Sequence, residues 1–180
     1  SSFKVVGEQL KSVYESLGEM RKITGDVTAL QRVLTNVKAR GTWAEVQLGN
    51  ILEQTLTKDQ YDCNVSTKND TKRVEFAVKI PSREKDGETV WLPIDSKFPQ
   101  EDYIRICEAA EKADKEALEA AQKSLEQNIK NQAKTIAELY INVPKTTDFA
   151  IMFLATEGLY SEVLRRPGLC EEIQNKYRIM

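Results

Sequence analysis

The 180-residue chain is 41% hydrophobic and carries a formal charge of -2 at pH 7, enough apolar material for one sizeable domain but no general basicity for gripping phosphate. It has no histidine, which excludes Ser-His-Asp and Cys-His nucleophilic centres and imidazole metal cages. Cys63, Cys107 and Cys170 lie far apart with no CxxC pair, arguing for a reducing compartment, and no apolar run reaches the roughly 18 to 20 residues of a membrane span.

Apolar residues recur at Val6, Leu10, Val13, Leu17, Met20, Ile23, Val27, Leu30, Leu34 and Val37, a heptad seam with one stammer between Met20 and Ile23, beside Gly18 and Gly25. Two partners satisfy such a seam: a second copy in a coiled-coil homodimer, or an antiparallel helix of the same chain. Arg40-Gly41-Thr42 is expected to interrupt this helix and supply an N-cap, dividing a coiled-coil segment, 1–40, from a domain over 41–180. A shorter helix follows, with Trp43, Val46, Leu48, Ile51, Leu52 and Leu56 on its apolar side. At that position Trp43 is a core residue in preference to a base-stacking platform.

Cys63 to Thr67 fits a short strand, and Arg73 to Ile80 alternates as a second, with Val74, Phe76, Val78 and Ile80 on one face. A turn over Pro81 to Gly87 joins it to a third over Glu88 to Asp95, in which Pro93 predicts either an edge position or a bend near the strand's end. From Pro99 a long helix is expected to about residue 140, an arm able to lie antiparallel to the first helix. Its outer face carries Glu-Lys pairs four apart: Glu108 with Lys112, Glu111 with Lys115, Glu119 with Lys123 and Glu126 with Lys130. Thr147 to Leu154 reads as a buried strand, Glu157 to Arg165 as a helix ending in Arg165 and Arg166, then a short helix to about Lys176. Arg178-Ile179-Met180 begins a further strand, so the domain is expected to be cut short at its C-terminus.

On an extended strand, residues two apart share a face, so Asp95 and Lys97 point the same way. If the preceding strand pairs antiparallel, Glu75 lies beside Asp95. Two carboxylates with the Ser96 carbonyl suit a hard cation, Mg²⁺ or Mn²⁺, and Lys97 can stabilise negative charge on a phosphate. Glu45 is a further carboxylate, able to ligate or to act on the attacking water. By spacing alone, however, an Asp-x-Lys pair is an ordinary strand-end ion pair. Lys68, Lys72 and Arg73 are suited to guiding a phosphate backbone, and a solvated loop explains them equally well.

Four ordered motifs resemble the RmuC family: Gly41-Thr42-Trp43-Ala44-Glu45-Val46-Gln47-Leu48; Val74-Glu75-Phe76-Ala77 with Leu92 through Pro99 and Asp102-Tyr103; Asp148 through Leu154; and Glu157-Gly158-Leu159-Tyr160. Ala44 stands where the family usually has Gly, and Ala155 where Pro is common. The family is similar to PD-(D/E)xK nucleases, although Val74-Glu75 replaces the Pro-Asp of that motif. The resemblance implies an α/β fold, a restriction-endonuclease-like mixed sheet flanked by helices with long antiparallel helical or coiled-coil extensions.

It assigns Glu75, Asp95 and Lys97, with Glu45 as the helix acid, to a Mg²⁺- or Mn²⁺-dependent deoxyribonuclease that binds DNA and limits rearrangement at repeats. The alternative is a coiled-coil organising protein whose nuclease-like fold binds DNA without cutting. The expected setting is the bacterial cytoplasm, with no membrane contact from this segment; a longer parent chain has room for an N-terminal anchor.

Overall fold

The computed structural model describes residues 37–82 and 87–180. Most of the heptad seam therefore lies outside the described residues, as does the centre of the Pro81 to Gly87 turn. The elements in chain order are α1 (Val37–Thr55), β1 (Tyr61–Val65), β2 (Val74–Ile80), β3 (Val90–Lys97), α2 (Gln100–Glu111), α3 (Lys115–Tyr140), β4 (Ile151–Leu154), α4 (Glu157–Arg165) and α5 (Leu169–Tyr177). No helix among the described residues is long and apolar enough to cross a membrane.

The four strands form one mixed sheet in sequence order, with β1, β2 and β3 antiparallel and β4 parallel to β3. One face packs on α1, where Leu48 and Leu52 meet Phe76 and Ile94. The other face carries Met152 into a larger cluster with Ile106 of α2, Leu125, Ile129 and Ile136 of α3, Leu159 and Val163 of α4, and Leu169 and Ile173 of α5. The buried positions of α3, Ala121, Leu125, Ile129, Ala133 and Ile136, follow helical spacing, which explains how one long helix supports the whole layer. Ile179 pairs in parallel with Ala150, so the chain after α5 returns to the sheet as the sequence predicts.

Three expectations need correction. First, α1 runs through Arg40-Gly41-Thr42 without a break. Glycine costs a helix about 1 kcal/mol relative to alanine, and burial of Trp43, Ala44, Val46 and Leu48 on the same helix outweighs that.

Second, β3 is an interior strand despite Pro93. The bridge Trp91 to Thr146 gives way to the ladder Ile94 to Ile151, so the facing chain advances five residues while β3 advances three. The interruption falls opposite Pro93, where a missing N–H costs no ladder bond.

Third, the helix expected over 100–140 is a hairpin. Ala113 turns left-handed at φ 49°, and the Asp114 carboxylate caps α3 by accepting from the Ala117 N–H at 3.0 Å. Because α2 folds back, its Asp102 accepts from Ser124 Oγ at 2.7 Å and Asn128 Nδ2 at 2.9 Å on α3. Of the four predicted Glu-Lys pairs, Glu119 with Lys123 and Glu126 with Lys130 form, each at 3.3 Å. The second also ties helices together, since Glu126 receives Arg166 at 2.6 Å and Lys130 reaches Glu172 at 2.7 Å.

Candidate active site

Glu75, Asp95 and Lys97 gather at one end of the sheet, where β2 starts and β3 stops. Antiparallel register through Phe76 and Ile94 sets Glu75 level with Asp95. Asp95 in turn is level with Met152 of β4, so it faces the layer of four helices while Ile94 faces α1. These are the consequences of period-two alternation in a strand whose two faces are both covered.

Asp95 is 3% exposed. Its Oδ2 lies 2.8 Å from Lys97 Nζ, an ion pair. Burial raises the Asp95 pKa, and Lys97 opposes that rise. Glu75 Oε2 accepts from both the Ser96 N–H, at 2.9 Å, and the Ser96 hydroxyl, at 2.6 Å. Burial nevertheless pushes the Glu75 carboxyl up to about 7, with the Ser96 bonds pulling it down and the nearby Asp95 and Glu45 charges adding to the rise. Glu45, half-buried on α1, is raised by its own burial and then by Asp95. The Tyr140 hydroxyl at the end of α3 is pushed up by burial, then by Asp95 and Glu75.

The arrangement therefore places three carboxyl groups in electrostatic contact, one of which, Asp95, pairs with Lys97. Such crowding is relieved by protons or by a cation. Among the described residues, however, no three His, Cys, Asp or Glu side chains stand close enough together to hold a metal by themselves. Any metal would take its remaining ligands from carbonyls, such as that of Ser96, and from water, the usual habit of Mg²⁺.

The basic residues singled out from the sequence lie on the β1–β2 loop next to this sheet end. Lys68 donates to the Glu138 carbonyl at the end of α3, and Arg73 donates to the Asn64 carbonyl at 3.1 Å. Both thus help anchor the loop, while Lys72 is exposed. Thr67, buried in the same loop, donates to the Tyr140 carbonyl at 2.8 Å and accepts from Asn142 at its own carbonyl at 2.7 Å. Trp43 is buried and tilts on Phe98 with ring centroids 5.5 Å apart, as its core assignment predicts. Arg165 and Arg166 are paired with Glu162 and Glu126.

Beside the acids lies a cavity of about 440 Å³ that sequence reasoning missed. Its wall joins Glu75, Ser96 and Lys97 to Arg40 and Gly41 of α1, to Phe98 and Gln100 after β3, and to Asn128 and Gln132 of α3. The helical hairpin brings these together across nearly a hundred residues, so no local spacing announces them.

The motifs that resemble the RmuC family meet in space. Trp43 touches Phe98, Glu75 holds Ser96, and Gly158 packs so tightly under the Tyr103 hydroxyl that a Cβ there would overlap it. The sequence model of the RmuC family matches residues 1–180. The chain is 52% identical over its full length to a DNA recombination protein RmuC homolog of Xylella fastidiosa (strain Temecula1 / ATCC 700964), and spans 40% of that protein. A homolog with the same description from Chlamydia pneumoniae is 25% identical over 92% of the chain and 38% of its own length. The chain thus spans well under half of the curated relatives it matches, and no solved structure matches it. Family match and full-length identity together identify the chain as a member of the RmuC family.

Proposed function

We propose that this chain carries the cleavage centre of a metal-dependent deoxyribonuclease acting in DNA recombination and genome maintenance, in the bacterial cytoplasm. The observation that carries the reading is the placement of the buried Asp95 beside the partly buried Glu75, with Lys97 paired to Asp95. For stability alone, buried acids in excess of their cations are a poor arrangement. As a seat for a divalent cation and a phosphate they make sense. The relatives' description as DNA recombination proteins supports the biological setting. On this reading the mixed sheet is restriction-endonuclease-like, and the N-terminal heptad seam forms a coiled coil that pairs two copies.

The donor set fits Mg²⁺ or Mn²⁺ in hardness and charge: two carboxylates, Glu75 and Asp95, and the Ser96 carbonyl, with Glu45 in reserve. Such an ion supplies Lewis-acid polarisation of the scissile phosphate and a more acidic water. Lys97, half-buried and already at 2.8 Å from Asp95, holds a positive charge where the phosphate gains negative charge. Ser96 fixes the Glu75 carboxylate through two donated hydrogen bonds, so that it does not reorganise during the reaction. Glu45 takes a proton from the attacking water. Lys68, Lys72 and Arg73, on the neighbouring loop, attract the DNA backbone.

One observation favours the second reading, a nuclease-like DNA-binding protein that does not cut. Glu75 and Asp95 are already engaged by Ser96 and Lys97, with no third acid at ligating distance among the described residues. Cleavage assays in Mg²⁺ and Mn²⁺ on linear, hairpin and branched DNA separate the two. Asp95→Ala and Lys97→Ala are each expected to abolish cleavage with the circular dichroism spectrum unchanged. Folded variants that cut DNA as well as the parent sink the nuclease reading at these residues.

A further inference from the structure

The cavity beside the acids has a chemistry of its own. Arg40, 8% exposed, stands on one side, with Phe98 offering an aromatic wall. Gln100, 6% exposed, has an Oε1 that accepts no hydrogen bond among the described residues, a rare state for a buried amide. Gln132 and Asn128 add two more amides, loosely joined at 3.4 Å. The charged groups in the lining leave no net positive charge: Arg40 pairs with Glu101 at 3.4 Å, Lys97 pairs with Asp95 at 2.8 Å, and Glu75 and Asp102 are further acids in the wall. Such a wall disfavours a bare phosphate, which seeks net positive charge, and suits a neutral, flat ligand with several hydrogen-bonding edges. At about 440 Å³ the space has the size of a small-ligand pocket and cannot admit a stacked duplex.

We propose that this cavity receives one unpaired nucleobase of a DNA strand, with the amides of Gln100, Asn128 and Gln132 meeting its pairing edge and Phe98 or the Arg40 guanidinium meeting its face. The inference rests on the nuclease reading and deepens it, because it names the substrate: DNA with an unpaired nucleotide next to the bond that is cut. In a duplex, partner bases occupy those edges, so only an unpaired or extruded base can offer them. Stacking and amide contacts give the preference, and the phosphates on either side reach Lys97.

The test measures binding of the chain to labelled duplex DNA in EDTA, where cleavage plays no part. One duplex is blunt, and its twin carries a single unpaired nucleotide at each end. The parent should favour the unpaired twin by about tenfold or more. Gln132→Leu, which removes an amide from the wall, should bring the ratio close to one. So should Gly41→Leu, which adds a side chain at the cavity wall, at an exposed helix position with open space around its Cβ. That variant is expected to fold at least as well as the parent, since leucine favours helix over glycine. Equal binding of the two duplexes by the parent, or an undiminished preference in both folded variants, overturns the pocket while leaving DNA recognition standing. Failure to bind any DNA overturns the pocket, whereas the nuclease reading, which needs the metal that EDTA removes, is decided by the cleavage assay in Mg²⁺ and Mn²⁺.

Discussion

The helical layer and the sheet end use charge in opposite ways. In the layer, Leu125, Ile129, Ile136, Leu159 and Leu169 are essentially inaccessible, and the acids at its rim are matched: Glu126 with Arg166 and Lys130, Glu172 with Lys130. Arg166 accordingly holds the Glu126 carboxyl below its ordinary range. At the sheet end, three acids lie near one another with Lys97 paired to Asp95, and the carboxyls of Glu45, Glu75 and Asp95 are all pushed up. One region is arranged for stability, and the other carries an electrostatic cost that folding does not require. That difference is the physical ground on which the sheet end is proposed as the site.

Truncating the layer should have the largest effect on stability. Leu125→Ala removes a side chain with no exposure at the centre of the cluster and is expected to destabilise by about 2 to 5 kcal/mol, read from denaturant unfolding. A loss below 1 kcal/mol would mean that the layer is loosely packed, which would erase the contrast.

At the sheet end the sign should reverse. Glu75, with a folded pKa of about 7 against an ordinary 4.5, binds more protons in the native state than in the unfolded state between those pH values. Native stability therefore falls as pH rises from about 4.5 to about 7, and levels off above that. Glu75→Gln, which keeps an acceptor for Ser96, should stabilise the metal-free protein at pH 8 by up to about 3 kcal/mol, a gain that fades towards pH 5. The same linkage makes cation binding at this site strengthen as pH rises through about 7, with proton release. Melting curves of parent and variant across pH 5 to 8, with and without Mn²⁺, read both effects; a pH-independent difference would remove the buried-acid account.

The smallest effect belongs to the matched rim. Arg166→Ala breaks a two-nitrogen contact to Glu126, at 3.0 and 2.6 Å, on a partly exposed surface. It should cost on the order of 1 kcal/mol, less in high salt. A much larger loss would show that this pair behaves as a buried one.

Much of the architecture was legible in residue patterns. The alternation of Val74 to Ile80, the apolar run ending at Leu154 and the helix from Glu157 to Arg165 follow from local periodicity and are found where expected. The pairing of Glu75 with Asp95 followed from hairpin geometry. What escaped was tertiary. Ala110, Ala113 and Ala117 keep helical spacing across the turn at Ala113, and Asp114, a good capping residue, is the local signal of the break. Pro93 argued for an edge because a sequence does not reveal which neighbour its missing donor faces. Arg40, Gln100, Asn128 and Gln132 carried no signal at all, being ordinary polar residues until the hairpin folds.

The continuity of α1 also has a mechanical meaning. Arg40, Gly41 and Ala44 stand in the cavity wall, while Leu48 and Leu52 of the same rod are bolted to the sheet. A push or twist applied at Val37 therefore reaches the cavity within about two turns, before the sheet absorbs it. Gly41, a residue of low helix propensity, lies on that path, between Val37 and the sheet-bound part of the rod.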